Sequence, residues 1–266
     1  MMERPSDAGT PARPHPLPPT MRAASRVAYG SPADITVADV ARPEPGPGEV
    51  LVKVAAAALD RATLHLLEGK PYVARLALGT RRPRRTVLGQ QVAGQVVALG
   101  PEVSGLAVGN RVFGTAAGSF AEYAVAKTST LSHTPAEVTD TAAASLGVSG
   151  ITAHEAVVDR GRVRAGQHVL VLGASGAVGT YAVHLAAHLG AHVTAVCSAA
   201  KLDFARSLGA ESVFDYRVTP LAHMGGPFDV IIDIAGNRRL RELRSALTAD
   251  GALVIGGGEG GGPFLG

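Results

Sequence analysis

Cysteine is almost absent from this 266-residue chain: Cys197 is the only one. A lone thiol excludes an intrachain disulfide and a cysteine-built structural zinc site, and it fits a reducing, cytoplasmic compartment. Lysine is scarce too, four residues beside 21 arginines, and a net charge of +3 is too small and too dispersed to require a nucleic acid partner. No apolar run reaches the roughly 18 residues that span a bilayer, because glycine, histidine or charge interrupts each one. The first twenty residues lack an apolar period and hold six prolines. They read as a disordered tail, without the apolar stretch of a secretory signal and, given Glu3 and Asp7, without the acid-poor character of a mitochondrial presequence. These shortages predict a soluble protein with no membrane partner, whose structured part opens near Met21.

What the chain has in quantity is apolar side chains, 46% of the total, enough to fill two cores. Over residues 21–145 the pattern is short strands broken by turns: EVLVKVAAAAL, QVAGQVVALG, GNRVFGT and SFAEYAVA. That predicts a compact, mainly antiparallel barrel. Over residues 146–266 strands and helices alternate. HVLVLGAS is a strand, and residues 176–189 are a helix with Val178, Ala182, Leu185 and Leu189 on one face and Gly190 as its stop. HVTAVCS, SVFDY, FDVIIDIAG and GALVIGG are further strands; KLDFARSLG and RRLRELRSALTAD are helices, the latter with Leu240, Leu243 and Leu247 aligned. Such alternation predicts an α/β fold, a doubly wound parallel sheet of about five strands.

The first of these strands runs into three glycines, Gly173, Gly176 and Gly179. A glycine-rich turn between a buried strand and a helix presents backbone N–H groups at the positive end of the helix dipole, where a pyrophosphate sits if no side chain blocks it. Gly173 makes the turn, Gly176 admits the phosphates and Gly179 lets the helix pack on the sheet; Ala174, Ser175, Ala177 and Val178 complete the loop. Glycines also serve ordinary tight turns, but the strand before, the helix after and the βαβ units beyond favour a dinucleotide cradle. The second strand selects the coenzyme. It ends in Cys197 and Ser198 with no acid before Lys201. A hydroxyl and an ammonium, with Tyr216 as a third contact, suit the 2′-phosphate of NADPH better than the free ribose of NADH. The plainer alternative is that Ser198 caps the next helix and Lys201 is merely solvated.

RPEPGPGEVLVKV, VLGQQVAGQVVALG, GNRVFGTAAGSFAEYAV, VLVLGASGAVG and KLDFARSLGAESVFDY, in that order, resemble the medium-chain dehydrogenase/reductases, and within them the zinc-independent quinone oxidoreductase-like branch. The resemblance implies a GroES-like catalytic domain, a Rossmann domain, and hydride transfer to a small-molecule carbonyl or quinone. Zinc-dependent relatives bind metal through cysteine, histidine and a further cysteine or acid. Those positions match Asp60, Gln90 and approximately Val148 here, a set that implies no zinc. The resemblance further implies that Tyr72 in LLEGKPY supplies a proton, that Asp60 stands where relatives often carry an asparagine facing the nicotinamide ribose, and that Thr152 lies near the nicotinamide. Tyr72 could equally fix a loop. The relatives continue into a sixth strand, whereas this chain stops after the fifth. That leaves a homodimer edge in doubt, and it makes a non-catalytic NADP(H)-binding protein the rival expectation.

Other patterns carry less. His184 and His188 share a helix face without a third ligand and read as solvated. The cluster RRPRR, Arg81 to Arg85, lacks interleaved aromatics and reads as a loop bordering the substrate cleft. Cys197 is expected near the adenosine ribose, far from hydride chemistry. GGGEGGG, from residue 256, reads as permissive backbone beside the coenzyme or as a loose end.

Overall fold

The structure, a computed structural model, describes residues 17–257. The expectations for residues 1–16 and for the glycine run beyond residue 257 lie outside it. Leu17 to Thr20 do not belong to a disordered tail. Thr20 opens β1, and the carbonyls of Pro18 and Pro19 accept hydrogen bonds from Arg42, so the last prolines are tied down as an edge.

β1 (Thr20–Ser25) and β2 (Thr36–Ala41) form a two-stranded antiparallel sheet. β3 (Glu49–Ala56) leads to α1 (Arg61–Glu68) and the short α2 (Arg75–Leu78), followed by β4 (Gln91–Leu99), β5 (Arg111–Thr115), β6 (Tyr123–Lys127) and β7 (Leu131–His133). β3 to β7 make an antiparallel sheet in the order β6-β3-β4-β5-β7. Val50, Val52, Val92, Val96 and Val112 fill one face, and Leu51, Tyr123 and Met21 pack on the other. Valine suits this pleated, closely packed surface. This is the GroES-like half.

A helical run crosses to the second half. It is composed of α3 (Asp140–Ala144), a π-helical turn at Leu146–Gly150, α4 (Ile151–His154) and a second π-helical turn at Glu155–Arg160. Then come β8 (His168–Leu172), α5 (Ala177–His188), β9 (His192–Cys197), α6 (Leu202–Ser207), β10 (Ser212–Asp215), β11 (Phe228–Asp233), α7 (Leu240–Ser245) and β12 (Leu247–Ile255). The five strands are all parallel, in the order β10-β9-β8-β11-β12. Alternate residues of β8 enter opposite cores: Val169 and Val171 pack with Val193, Ala195 and Ile232, while Leu170 and Leu172 pack with Val196, Ile231 and Leu243. A sheet buried on both faces is the Rossmann-type arrangement that the alternating pattern predicted.

Two expectations need correction. The helix expected over 238–250 ends at Ser245, and Leu247 already belongs to β12, whose residues Ala252 to Ile255 pair with Val230 to Asp233. Pairing along β11 outweighs the helical spacing of the leucines; Leu243 is buried but Leu240 is exposed. On α5 the fully buried stripe is Gly179, Ala182, Val183 and Ala186, with Val178, Leu185 and Leu189 half-buried at its flanks. Small residues hold the centre because the helix approaches the sheet closely.

That approach is set at one atom. A Cβ on residue 179 would lie 2.1 Å from the carbonyl oxygen of Gly173. Gly179→Ala should therefore cost about 1–3 kcal/mol through overpacking, read as a lower urea midpoint with an unchanged m-value. An unaltered midpoint would mean that α5 can back away from β8 freely.

Candidate active site

The order β10-β9-β8-β11-β12 reverses direction between β8 and β11, and in such sheets the crevice beyond the carboxyl ends of those two strands receives ligands. The glycine loop lies there. Gly173 has φ +81°, and a Cβ on it would come within 3.1 Å of the Ala235 nitrogen across the crevice. Its N–H and that of Ala174 both donate to the Val196 carbonyl, which ties the turn to β9. Gly176 is the N-cap of α5 and offers no side-chain cap, so the N–H groups of the helix's first turn face outward without an intrahelical acceptor. Gly176 and Ala177 are exposed, and a Cβ on Gly176 would meet only the Gly173 carbonyl oxygen, at 3.4 Å. Ser175 and Val178 are half-buried; Ala174 and Gly179 are buried beneath the loop. An open, uncapped terminus on a twelve-residue helix fits a diphosphate.

The expected ribose contacts gather beside it. Asp215 pairs with Cys197, so Tyr216 and Ser198 leave neighbouring strand ends together, and the Tyr216 N–H donates to the Cys197 carbonyl. Ser198 precedes the turn Ala199–Lys201 but makes no side-chain cap, so capping is not what its hydroxyl does. Lys201 is exposed and reaches over the Phe204 ring at 5.9 Å. Arg217, which the sequence reading passed over, stacks on Tyr216 at 5.3 Å and puts a second cation at this edge. Cys197 is buried, and burial together with Asp215 pushes its thiol above the usual range, as suits an inert residue.

The second cluster lies where the barrel meets the helical run. Asp60 is the N-cap of α1: its Oδ1 accepts from the Thr63 N–H and from the Thr63 hydroxyl, both at 2.7 Å. Its Oδ2 accepts from Gln91 Nε2 at 3.0 Å, and Gln91 Oε1 accepts from the Val148 N–H at 2.8 Å. Thr152 donates its hydroxyl proton to the Val148 carbonyl at 2.8 Å. Asp60 and Thr152 are thus brought into one hydrogen-bonded chain through Gln91, one residue beyond the position singled out from the motif. Gln90 instead lines a cavity of about 810 Å3 with Thr63, Leu66, Leu78, Leu88 and Arg84. The signal for Gln91 was a polar residue at the head of a strand whose next three residues are all buried.

Tyr72 stands apart from that chain. It is 38% exposed, and its ring lies 4.8 Å from the Arg75 guanidinium, whose other neighbour is Tyr29 at 4.3 Å. Arg75 in turn donates to the carbonyls of Glu68 and Gly69, at the C-terminal end of α1. Tyr72 is therefore anchored at one end of α1 and Asp60 at the other, and Tyr72 is not part of the lining of the cavity beside Gln90. His184 and His188 are exposed on α5. Among the described residues no three His, Cys, Asp or Glu side chains form a metal-binding group. Nor is any helix there long and apolar enough to cross a membrane.

Comparison with known proteins agrees with this architecture. Residues 46–136 match the alcohol dehydrogenase GroES-like domain and residues 177–264 the zinc-binding dehydrogenase domain. A chloroplastic quinone-oxidoreductase, QR1, of Triphysaria versicolor is 34% identical over 254 residues, 88% of this chain and 74% of that protein. The chain belongs to the medium-chain dehydrogenase/reductase superfamily. Within that superfamily it is quinone oxidoreductase-like. A chloroplastic quinone-oxidoreductase homolog of Spinacia oleracea is 36% identical over 217 residues, 78% of this chain and 64% of the relative. The trans-enoyl reductase pgmF of Aspergillus terreus is 34% identical over 204 residues, 72% of this chain and 56% of the relative. This medium-chain dehydrogenase/reductase chain thus spans less than two thirds of the length of those last two. The structure of mycobacterial Rv1454c complexed with NADPH superposes with a TM-score of 0.78 at 30% identity, over 91% of this chain and 75% of that one.

Beside the turn that Gly173 approaches at Ala235 is a buried carboxyl that the sequence did not advertise. Asp233, 2% exposed at the end of β11, accepts from the Gly236 N–H at 2.8 Å and from Ala235. Burial raises its pKa above the ordinary 3.8, against the lowering effect of those two N–H groups and of Arg238. As pH rises from below 3.8, the unfolded chain loses this proton before the folded one does. Stability is therefore lost across that window, and the loss persists at neutral pH. Asp233→Asn, which keeps the acceptor oxygen, should raise Tm relative to the parent more at pH 8 than near pH 3.5. A variant less stable than the parent at pH 8 would show that the ionised carboxylate is needed.

Proposed function

We propose that this chain is an NADPH-dependent, zinc-independent reductase of quinones or α,β-unsaturated carbonyl compounds. The observation that carries the reading is the uncapped terminus of α5 at the strand-order reversal, with Ser198, Lys201 and Tyr216 collected beside it by the β9–β10 register. The N–H groups of Ser175, Ala177 and Val178 would hold the diphosphate, that of Gly176 being donated to the Gly173 carbonyl. The Lys201 ammonium and the hydroxyls of Ser198 and Tyr216 would hold the 2′-phosphate, a charge that NADH lacks. The NADPH complex of the mycobacterial neighbour and the names of the quinone and enoyl reductase relatives support the same assignment.

Bound there, the reduced nicotinamide supplies a hydride. The chain's own groups must place the acceptor, keep water out and deliver a proton. The cavity beside Gln90, lined by Leu66, Leu78 and Leu88 together with Arg26, Arg84 and Glu49, would take a small carbonyl compound. Donor chemistry argues against zinc: both oxygens of Asp60 already accept hydrogen bonds, Gln90 offers an amide and Val148 no side-chain donor atom. Tyr72, its ring held on Arg75, is the proposed proton donor, which requires the substrate to extend from the Gln90 cavity to the C-terminal end of α1. A buried single thiol is consistent with a cytoplasmic setting.

Calorimetric titration should show NADPH binding more tightly than NADH, and Lys201→Ala should cost about tenfold for NADPH while leaving NADH unchanged. Equal affinities in the parent protein would refute the 2′-phosphate site, and no affinity for either coenzyme would refute the whole reading. With a quinone and enone panel, Tyr72→Phe should lower kcat by about a hundredfold at unaltered coenzyme affinity. Full turnover in that variant would remove Tyr72 from the chemistry.

A further inference from the structure

Gln91 opens β4 with only 1% of its surface exposed, and its amide is engaged at both ends. Nε2 donates to Asp60 and Oε1 accepts from the Val148 main chain. Few side chains can do both at once at this length. An ionised glutamate only accepts, and a lysine only donates. Each end matters separately. Asp60, 9% exposed, is a carboxylate whose second oxygen has Gln91 as its partner, and Val148 belongs to the π-helical turn that carries the chain from the barrel towards the parallel sheet. Such turns interrupt the regular ladder of a helix and commonly mark functional positions.

We propose that Gln91 is the positioning residue of this active site. It couples the Asp60 carboxylate at the head of α1 to the Val148 peptide, and through the Val148 carbonyl to the Thr152 hydroxyl, so that groups from the two halves of the molecule hold one geometry. The inference rests on the reading of Asp60 and Thr152 as the nicotinamide end of the site. The reason is one of unmet hydrogen bonds. Without the amide, a buried carboxylate oxygen and a part-buried N–H lose their partners, and the two elements separate until water reaches them. The glycine loop follows the central strand β8 and Lys201 follows β9, and α5 touches the helical run at the Ser145–Tyr181 hydroxyl pair, so coenzyme affinity is measured beside turnover.

The test is an exchange of partners in the full-length protein. Gln91→Glu sets two carboxylates against each other, and Gln91→Met removes both bonds at similar length. Adding Asp60→Asn to Gln91→Glu rebuilds the chain in reverse: the asparagine amide donates, one glutamate oxygen accepts it, and the other accepts from Val148. Each single change at Gln91 should lower Tm by about 5–10 °C, and the double variant should regain at least half of that loss. Catalytic turnover of an enone should fall in kcat by about tenfold to a hundredfold in the single variants, with the Kd for NADPH within about twofold of the parent. Leu51→Ala, a cavity in the barrel core, should cost comparable stability and leave kcat in place, which separates positioning from simple loosening. Amide exchange at Val148 should quicken more than about tenfold in Gln91→Glu relative to the parent. Single variants as stable as the parent, or a double variant no better than Gln91→Glu, would overturn the proposal. A parent protein without turnover would instead refute the reductase reading alone, because the stability cycle and the Val148 exchange rate decide the coupling without it.

Discussion

Everything in the parallel half depends on how near one helix comes to one strand. The Gly173 carbonyl occupies the space that a side chain on residue 179 would need, so α5 settles against β8 with its N-terminus directed into the crevice. Once that separation is fixed, the buried stripe of α5 has to be small, and Ala182, Val183 and Ala186 are. The same closeness leaves the first-turn N–H groups uncovered, since Gly176 brings no cap of its own. One steric constraint thus produces both the packing and the anion-binding character of the loop.

Asp233 holds the turn at Ala235 and Gly236 in the shape that Gly173 approaches. A buried carboxyl with raised pKa is a costly way to hold a turn. The cost is tolerable because its oxygens receive main-chain N–H groups and Arg238 lies nearby. The barrel half solves a comparable problem with a neutral amide. Asp60, Gln91 and Val148 meet through hydrogen bonds to a carboxylate and from a main-chain N–H. On the proposed zinc-independent reading, polarisation of a carbonyl would fall to hydrogen-bond donors rather than to a Lewis acid.

Much of the fold was legible because its signals are local. The valines of β3 and β4, the apolar runs of β8, β9 and β11, and the turn residues between them specify strands whatever surrounds them. The glycine spacing located the crevice for the same reason: positive φ and close approach are demands on individual residues. Where local and non-local signals competed, the non-local one prevailed. Leu247 carries helical spacing from Leu243, yet pairing along β11 draws it into β12. Pro18 and Pro19 look like tail, yet their carbonyls serve Arg42, a residue more than twenty positions away.

By itself the sequence determined the two-part architecture, the parallel sheet and the position of the glycine loop, since period, turn chemistry and missing side chains are properties of short segments. Only the tertiary structure decided that Gln91 rather than Gln90 joins Asp60 to Val148, that Tyr72 is anchored on Arg75 at the far end of α1 from Asp60, and that Asp233 holds the turn at Ala235 and Gly236. Each of those is a meeting of residues distant in the chain. Which of two neighbouring glutamines turns inward depends on the register of β4 against its partners and on where the crossing helix passes, and no short window of sequence contains either.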